Sequence, residues 1–303
     1  MVGKIIERLA EMNYYSARAF YKYKLRQSCL KYTNAPLLVY QMGKVGSETV
    51  ASSLSVLKLD MPIYHVHYLS ESLVSETEEN RRKYFHTEKY HLLKRPWLYQ
   101  FLQGEISKGL EGRRWKIITL TREPVARNLS AFFENIEFKP VGVNNGYEIK
   151  SDYYGIEPTI VTIDDLSKLM DLFFDRLKHD APLVFFDREL KGVFDIDVFS
   201  SEFPISKGYA IYEGNKADVL LIRLENLNEC AQDAFKEFLN IDNFTLINTN
   251  TAAEKTYDPV YRKFKNNIAL PDSYIDKLYN SKYMRHFYSK AETEEFRKRW
   301  RRT

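Results

Sequence analysis

Short apolar runs alternate with segments of helical periodicity along most of this chain. "PLLVYQM" precedes a helix-compatible segment from Ser47 to Leu57, "MPIYHVH" precedes a charged span from Glu76 to Lys108, and "WKIITLT" precedes "PVARNLSAFFEN". The run "ADVLLIRL" precedes "ENLNECAQDAFKEFL" in the same sense. Strands that alternate with helices pair in parallel and are covered by helices on both faces. The sequence therefore predicts a three-layer α/β fold with a mainly parallel central sheet.

The domain organisation is simple. The chain has 303 residues, 44% of them hydrophobic, with no internal repeat and no Gly/Ser linker, which favours one domain over residues 1–303. We expect a helical extension over residues 1–32 and a helical region over residues 257–303, where Tyr and Phe recur at spacings typical of packing. Residues from Glu137 to Pro158 show neither period, which predicts a long loop over one end of the sheet.

Composition excludes several classes of protein. With 45 basic and 41 acidic residues the net charge is only +4, which argues against nucleic-acid binding and allows a mild preference for anions. Cys29 and Cys230 stand far apart without metal-ligand spacing, so we expect no metal site and reduced thiols. No apolar stretch approaches the roughly 20 residues of a membrane span, and the start lacks a signal-peptide core, so we expect a cytoplasmic protein.

The first helical segment has a pattern of its own. Its apolar residues recur near helical spacing with basic residues between them. We expect this helix to dock on its own domain, and weak contact with a membrane surface is the alternative. Nothing in the sequence indicates an oligomeric state.

A glycine-punctuated turn follows the first predicted strand. Its residues are Gly43, Lys44, Val45, Gly46, Ser47, Glu48 and Thr49. Glycines allow a tight turn, so that backbone N–H groups converge at the start of the next helix, where phosphate or sulfate binds well. Ser47 and Thr49 add hydroxyl donors, and Lys44 adds a positive charge. Because the lysine precedes the second glycine, an ordinary ATP-binding Walker A loop is disfavoured. A strand-to-helix turn without a ligand would look similar.

A second motif lies in "WKIITLTREPVARNLSAFF". Arg122 ends the strand, Pro124 suits the first turn of the next helix, and Ser130 follows eight residues after the arginine. The guanidinium of Arg122 and the hydroxyl of Ser130 could both bind one phosphate. The alternative is that Arg122 only pairs with Glu123 or Glu134.

These two motifs carry a resemblance. Lys44-x-Gly46-Ser47-x-Thr49 after one strand, with Arg122 and Ser130 after another, resembles the phosphate-binding motifs of sulfotransferases that use 3′-phosphoadenosine 5′-phosphosulfate (PAPS). The wider chain resembles a bacterial sulfotransferase-like family of capsular polysaccharide synthesis proteins, through "YQMGKVGSETV", "LTREPVARNLSAFF", "APLVFFDREL" and "SKYMRHFYS".

The resemblance implies a P-loop-like sulfotransferase fold. In such a fold the first loop holds the 5′-phosphosulfate of PAPS, and the second pair holds its 3′-phosphate. It further implies a carbohydrate or polysaccharide acceptor, 3′-phosphoadenosine 5′-phosphate (PAP) as the product, and no metal. Glu48 and Glu123 depart from the commoner residues at their positions, and a carboxylate at position 48 must point away from the phosphosulfate.

Sulfuryl transfer needs two further groups. Negative charge grows on the departing bridge oxygen, and Lys44 is the predicted stabiliser of that charge. The acceptor hydroxyl must lose a proton, for which histidine is suited. His65 and His67 in "IYHVHYLSE" alternate along a strand and so share one side. Likeness to carbohydrate sulfotransferases with a His-x-His pair favours His67, nearer the strand's carboxyl end. The alternative is that both histidines only pack.

Two other segments carry weaker signals. Asp187 and Glu189 follow the strand-like run of "PLVFFDREL" and could bind the acceptor or act as the base. They could equally cap the next helix or pair with Arg188 and Lys191. Family likeness indicates that the segment with Lys255 covers the nucleotide, and the alternative is that it is an ordinary basic start of a helix.

Two competing functions remain. A kinase-like phosphoryl transferase would need Mg²⁺ held by acidic groups, and no acidic residue stands where a Walker B strand would place it. A nucleotide-binding protein without transfer activity would keep the pocket and bind PAP.

Overall fold

The computed structural model of the chain describes residues 13–109, 114–142, 145–247 and 255–301. Short helical turns of other types cover Glu88–Leu93, Phe186–Lys191 and Leu224–Asn226. The helices and strands are, in chain order, α1 (Tyr14–Cys29), β1 (Leu37–Tyr40), α2 (Ser47–Ser55), β2 (Ile63–Val66), α3 (Glu71–Arg82), α4 (Lys94–Lys108), β3 (Trp115–Thr121), α5 (Pro124–Glu134), β4 (Glu137–Val141), β5 (Gly146–Ser151), β6 (Ile156–Thr162), α6 (Ser167–Arg176), α7 (Ala181–Phe185), α8 (Gly192–Phe194), β7 (Tyr209–Glu213), β8 (Ala217–Arg223), α9 (Leu227–Leu239), α10 (Asp258–Asn267), α11 (Asp272–Tyr279), α12 (Lys282–Phe287) and α13 (Lys290–Arg301).

The central sheet has five strands in the order β2-β1-β3-β8-β7. β1 pairs in parallel with β2 and β3, and β3 pairs in parallel with β8, while β7 runs antiparallel to β8 at the edge. Helices flank this sheet. The predicted α/β fold with a mainly parallel central sheet is therefore confirmed. The carboxyl ends of four parallel strands meet at one edge, where ligands bind in such sheets.

The central strands form where the sequence is continuously apolar. All four residues of β1 and all seven of β8 are buried, and in β3 only Lys116 is partly exposed. Strands covered on both faces need apolar side chains in both directions, which explains the unbroken runs. The register sets Leu37 opposite Ile63 on one side of β1 and opposite Lys116 on the other.

The prediction of a long loop from Glu137 to Pro158 was wrong. β4, β5 and β6 form an antiparallel sheet of three strands over this region. Its inner face carries buried Phe138, Ile149 and Val161. The period-two pattern was hard to recognise because in β4 only the exposed Glu137 and Lys139 alternate with a buried side chain before Pro140 interrupts it.

The strand-like interpretation of "PLVFFDREL" was also wrong. α7 continues into a π-helical segment, Phe186–Lys191, and then into α8. Phe185, Phe186 and Leu190 are buried against the core. A short apolar run with no flanking turn signal fits a buried helix as well as a strand, and here the helix forms.

The two ends of the described chain are helical. α1 docks on the domain through Tyr14, whose ring lies 5.6 Å from that of Trp97 and whose hydroxyl accepts a hydrogen bond from the Trp97 Nε1 at 3.1 Å. Residues 1–12 of the expected N-terminal helix lie outside the described residues. At the other end, α10 to α13 follow one another from Asp258 to Arg301. None of the helices in the described ranges is long and apolar enough to cross a membrane.

Candidate functional site

The loop between β1 and α2 has an unusual backbone. Gly46 caps α2 with φ +90°, so its conformation favours glycine, and a Cβ there would lie 2.6 Å from the Leu224 Cδ1, which would have to shift. Gly43 has no atom within 4 Å of such a position, so packing does not require glycine there. Lys44 has φ 72°, in the left-handed region that side chains other than glycine rarely adopt. Strain of this kind is concentrated at functional sites.

Backbone N–H groups without a described partner converge where this turn leads into α2. The backbone N–H groups of residues 46–49 have no hydrogen-bond acceptor within the described part of the chain. They form the start of α2, where the positive end of the helix dipole favours an anion. The Ser47 side chain is buried beside them and makes no described hydrogen bond, and Thr49 is half-buried. Val45 is fully buried and anchors the loop to the core.

Arg122 meets this loop from the neighbouring strand. Its Nη1 donates a hydrogen bond to the backbone carbonyl of Lys44 at 2.9 Å. The backbone of Arg122 is itself fixed by Tyr283, whose hydroxyl accepts from the Arg122 N at 3.1 Å and donates to the Arg122 O at 2.8 Å. The structure therefore brings the two predicted phosphate-binding motifs together. Neither Glu123 nor Glu134 pairs with the Arg122 guanidinium, so that alternative is absent.

Glu123 has a structural task instead. Its carboxylate accepts the N–H groups of Val125 and Ala126 at 2.8 and 2.7 Å, which caps α5, and it also accepts the Tyr279 hydroxyl. Burial raises the pKa of this carboxyl. Pro124 takes the first helical position, as expected from its missing N–H.

One face of α5 lies along the loop. Arg127, Ser130 and Glu134 are three and four residues apart and so share that face. The Arg127 Nε donates to the Gly43 carbonyl at 3.0 Å. Ser130 is half-buried and makes no hydrogen bond with its side chain among the described residues. Arg127 was not predicted from the sequence, although its spacing of three residues from Ser130 places it on the same helix face beside the loop.

The ammonium group of Lys44 contacts the last residue of α5. The Lys44 Nζ lies 3.0 Å from the Glu134 Oε2, and the same oxygen pairs with the Lys255 Nζ and accepts the Tyr257 hydroxyl at 2.8 Å. Burial lowers the pKa of Lys44, and the hydrogen bond with Glu134 opposes this. Burial raises the pKa of Glu134, but hydrogen bonds from Lys255 and Lys44 outweigh it and hold the pKa below its usual value.

A cavity of about 460 Å³ opens beside this cluster. Phe138 and Tyr257, whose ring centroids lie 5.8 Å apart, give it an aromatic wall. Its lining residues are Glu134, Ile136, Glu137, Phe138, Lys255, Thr256 and Tyr257.

The two histidines lie at the carboxyl end of β2, with ring centroids 4.7 Å apart. The His67 Nδ1 lies 3.0 Å from the backbone carbonyl of Gln41, just before the glycine loop. A carbonyl only accepts, so the Nδ1 carries the proton and the Nε2 keeps its lone pair. Burial, with the charge of His65, lowers the pKa of His67 to about 4. Burial, with the charge of Arg95, lowers the pKa of His65 to about 4 as well. Both rings are therefore neutral at pH 7.

Glu48 lies on the histidine side of the loop. Its side chain is 60% exposed, and its Oε1 is 3.6 Å from the His65 Nδ1. The other ring nitrogen of His65 is buried without a described partner. The carboxylate that the sequence placed within an anion loop is thus directed toward an imidazole and solvent.

Glu189 is fully buried and its carboxylate is fully engaged. Its Oε2 accepts the Tyr40 hydroxyl at 2.6 Å and the backbone N–H groups of Leu69 and Ser70 at 2.7 and 2.9 Å. Its Oε1 accepts the Ser70 hydroxyl and the Arg188 Nε. These bonds tie the segment that follows His67 to the end of β1. Of the two alternatives for this residue, pairing with Arg188 is present.

Asp187 lies on the surface. Its carboxylate pairs with the Lys282 Nζ at 2.7 Å, while Lys191 pairs with Asp197. An acceptor-binding role for Asp187 stays a prediction. Within the described ranges, no group of three or more His, Cys, Asp or Glu side chains is arranged to hold a metal ion.

Comparison with known proteins adds one finding. Residues 161–289 match the model of a family described as "Putative capsular polysaccharide synthesis protein". This segment runs from β6 to the end of α12 and includes "APLVFFDREL" and "SKYMRHFYS", so the likeness to a capsular polysaccharide synthesis family is supported there. The match does not extend to the glycine loop or to Arg122. No curated protein and no solved structure matches the chain.

Proposed function

We propose that this chain is a PAPS-dependent sulfotransferase that transfers a sulfuryl group to a hydroxyl of a carbohydrate or polysaccharide acceptor. The observation that carries the proposal is the hydrogen bond from Arg122 to the carbonyl of Lys44. It sets a guanidinium beside the free N–H groups at the start of α2, as a ligand with two separate phosphate groups requires. The description of the matched family supports a carbohydrate acceptor.

Donor binding divides between the two motifs. The N–H groups of residues 46–49 and the hydroxyls of Ser47 and Thr49 bind the 5′-phosphosulfate. Arg122 and Ser130 bind the 3′-phosphate. Arg122 uses only one of its guanidinium N–H groups on the Lys44 carbonyl, which leaves others for a phosphate oxygen. Lys255 contributes a second ammonium group near Lys44.

In the transfer step the acceptor oxygen bonds to sulfur while the bond from sulfur to the bridge oxygen breaks. The electron pair of that bond stays on the bridge oxygen, which becomes a phosphate oxygen of PAP. Lys44 stabilises this growing charge, an effect of about 3–4 kcal/mol for a preorganised donor. The ammonium group of Lys44 acts in a partly desolvated environment, since burial already lowers its pKa.

The acceptor proton goes to the Nε2 of His67. Its lone pair is available because the Nδ1 donates to the Gln41 carbonyl. A pKa of about 4 makes His67 neutral but a weak base in the unliganded protein. The negative charges of bound PAPS favour the imidazolium form and raise this pKa toward the range where proton transfer is efficient. His65 sets the ring orientation of His67 from the side, and Glu189 fixes the segment beyond it.

Two measurements in sequence test the proposal. Thermal unfolding with PAP, ADP and ATP separates the donor classes, and we expect PAP to raise the midpoint most. Labelled PAPS with a panel of glycans then tests transfer, which Lys44→Ala should reduce about 10²- to 10³-fold. Label transfer that is unaffected by Lys44→Ala would contradict the proposal. Tight PAP binding with no transfer to any acceptor would identify a nucleotide-binding protein instead.

A further inference from the structure

One carboxylate oxygen collects three donors in the proposed donor site. The Glu134 Oε2 lies 3.0 Å from the Lys44 Nζ, pairs with the Lys255 Nζ, and accepts the Tyr257 hydroxyl at 2.8 Å. The two ammonium groups repel each other, and burial together with the charge of Lys255 lowers the pKa of Lys44. An anion between the two ammonium groups stabilises their close approach. Glu134 supplies that anion from within the chain.

We propose that Glu134 is an internal competitor of the donor. Its carboxylate occupies the place between Lys44 and Lys255 that the anionic group of the ligand takes, and Lys44 must exchange Glu134 for the ligand before it can act. The identity of the donor in this inference rests on the proposed function. The exchange itself requires only an anion with adjacent charged groups.

The position of Glu134 allows the exchange. It is the last residue of α5, and its side chain is 34% exposed at the edge of the 460 Å³ cavity. A carboxylate at the carboxyl end of a helix meets the negative end of the helix dipole, so the helix itself does not hold it there. Its described partners are the two lysines and Tyr257. Once a ligand takes the ammonium groups, the carboxylate can turn into the cavity.

The exchange selects among anions. A phosphosulfate or pyrophosphate group brings two adjacent charges and can replace one carboxylate with a net gain of attraction. An anion with a single charge replaces one carboxylate by a similar charge, so the attraction to the lysines increases little. The carboxylate thus keeps the lysines occupied until a ligand of high charge density arrives.

The chain offers a matched control. Glu137 lines the same cavity three residues further on, but its carboxylate pairs with Lys150 at 3.2 Å, and its side chain is 71% exposed. Glu137→Gln therefore removes the same charge from the same wall without freeing Lys44 or Lys255. Glu134→Gln keeps the shape of the side chain and removes the charge that competes.

The test is calorimetric titration of PAP and of inorganic pyrophosphate into the full chain and both variants. We expect Glu134→Gln to bind each ligand about tenfold tighter, a change of about 1.4 kcal/mol. Glu137→Gln should stay within about twofold of the unaltered protein, as expected for an exposed charge. If PAP binds the unaltered protein, equal or weaker binding of PAP by Glu134→Gln would overturn the inference, as would equal tightening in Glu137→Gln.

The two probes separate this inference from the proposed function. Suppose that the unaltered protein does not bind PAP, but that Glu134→Gln binds pyrophosphate more tightly than the unaltered protein does. In that case the donor assignment fails and the competitor role stands. If PAP binds the unaltered protein and Glu134→Gln gains nothing, the competitor role fails and the donor assignment stands. Absence of binding of both ligands by all three proteins would overturn both.

Discussion

The guanidinium of Arg122 donates a hydrogen bond to the backbone carbonyl of Lys44, with 2.9 Å between the Nη1 and the oxygen. This bond links the carboxyl end of β3 to the turn that follows β1, two strands that are direct neighbours in the sheet. It also supports the left-handed backbone of Lys44, whose φ is 72°. Cation, strained turn and helix start are thereby held as one unit.

Replacement of Lys44 by alanine should reduce sulfuryl transfer about 10²- to 10³-fold, since one preorganised donor to the developing charge is lost. The fold should tolerate the change, because alanine at this φ is no more strained than lysine. Initial rates with labelled PAPS and thermal unfolding of both proteins measure the two effects. A large loss of stability with a proportional loss of rate would show that Lys44 acts only through the fold.

Gly46→Ala should destabilise the protein by about 1–3 kcal/mol, because alanine is strained at a φ of +90° and its Cβ, 2.6 Å from the Leu224 Cδ1, would force that side chain to shift. Gly43→Ala is the matched control, since nothing lies within 4 Å of its Cβ position. We expect that variant to stay within about 0.5 kcal/mol of the unaltered protein. Urea unfolding gives both values, and similar losses in the two variants would contradict the loop geometry.

Arg122→Met should weaken PAP binding about tenfold or more while changing AMP binding little, because only PAP carries the 3′-phosphate. Arg122→Lys should restore little, since an ammonium group does not reproduce the paired donors of a guanidinium. Titration of both nucleotides into each variant measures the difference. Equal weakening of PAP and AMP would mean that Arg122 only supports the Lys44 carbonyl.

The stability of the protein should fall in mild acid partly because of His67. In the folded protein the pKa of His67 is about 4, below the ordinary 6.5. Between these pH values His67 is therefore protonated in the unfolded chain but neutral in the folded protein. Neutral His67 makes its full contribution to the free energy of unfolding above about pH 6.5. That contribution is lost as the pH falls toward 4, by about 2–3 kcal/mol in total.

His67→Gln removes this titration and should flatten the loss of stability between pH 6.5 and 4. Urea unfolding at several pH values in that range measures the slope for both proteins. The same pH slope in both would show that His67 is not held in its neutral form. Loss of transfer in His67→Gln at neutral pH, with unchanged PAP affinity, is expected from its role as the base.

The central sheet was predictable because its strands are covered on both faces and therefore read as unbroken apolar runs. β1, β3 and β8 all fall on runs recognised in the sequence. The small antiparallel sheet was missed because its exposed face is interrupted at Pro140 and the sequence after Val141 is rich in Gly and Asn, which hides the alternation. The helical segment around Phe186 was missed because a short buried helix has no local mark that distinguishes it from a strand.

The candidate site, too, was predictable from the sequence only in part. The glycine loop and Arg122 were predictable, because each is local to one strand end and parallel strand ends meet at one edge. The bridge from Glu134 to Lys44 and Lys255 was not, since it joins residues far apart in the sequence. The hydrogen bonds of Glu189 could not be predicted either, because its partners Leu69 and Ser70 lie more than a hundred residues away in the sequence.

A crystal structure of the complex with PAP tests the central claim most directly. We predict that the 5′-phosphate contacts the N–H groups of residues 46–49 and that the 3′-phosphate contacts the Arg122 guanidinium. PAP bound elsewhere, or bound at the loop with its 3′-phosphate far from Arg122, would contradict the account.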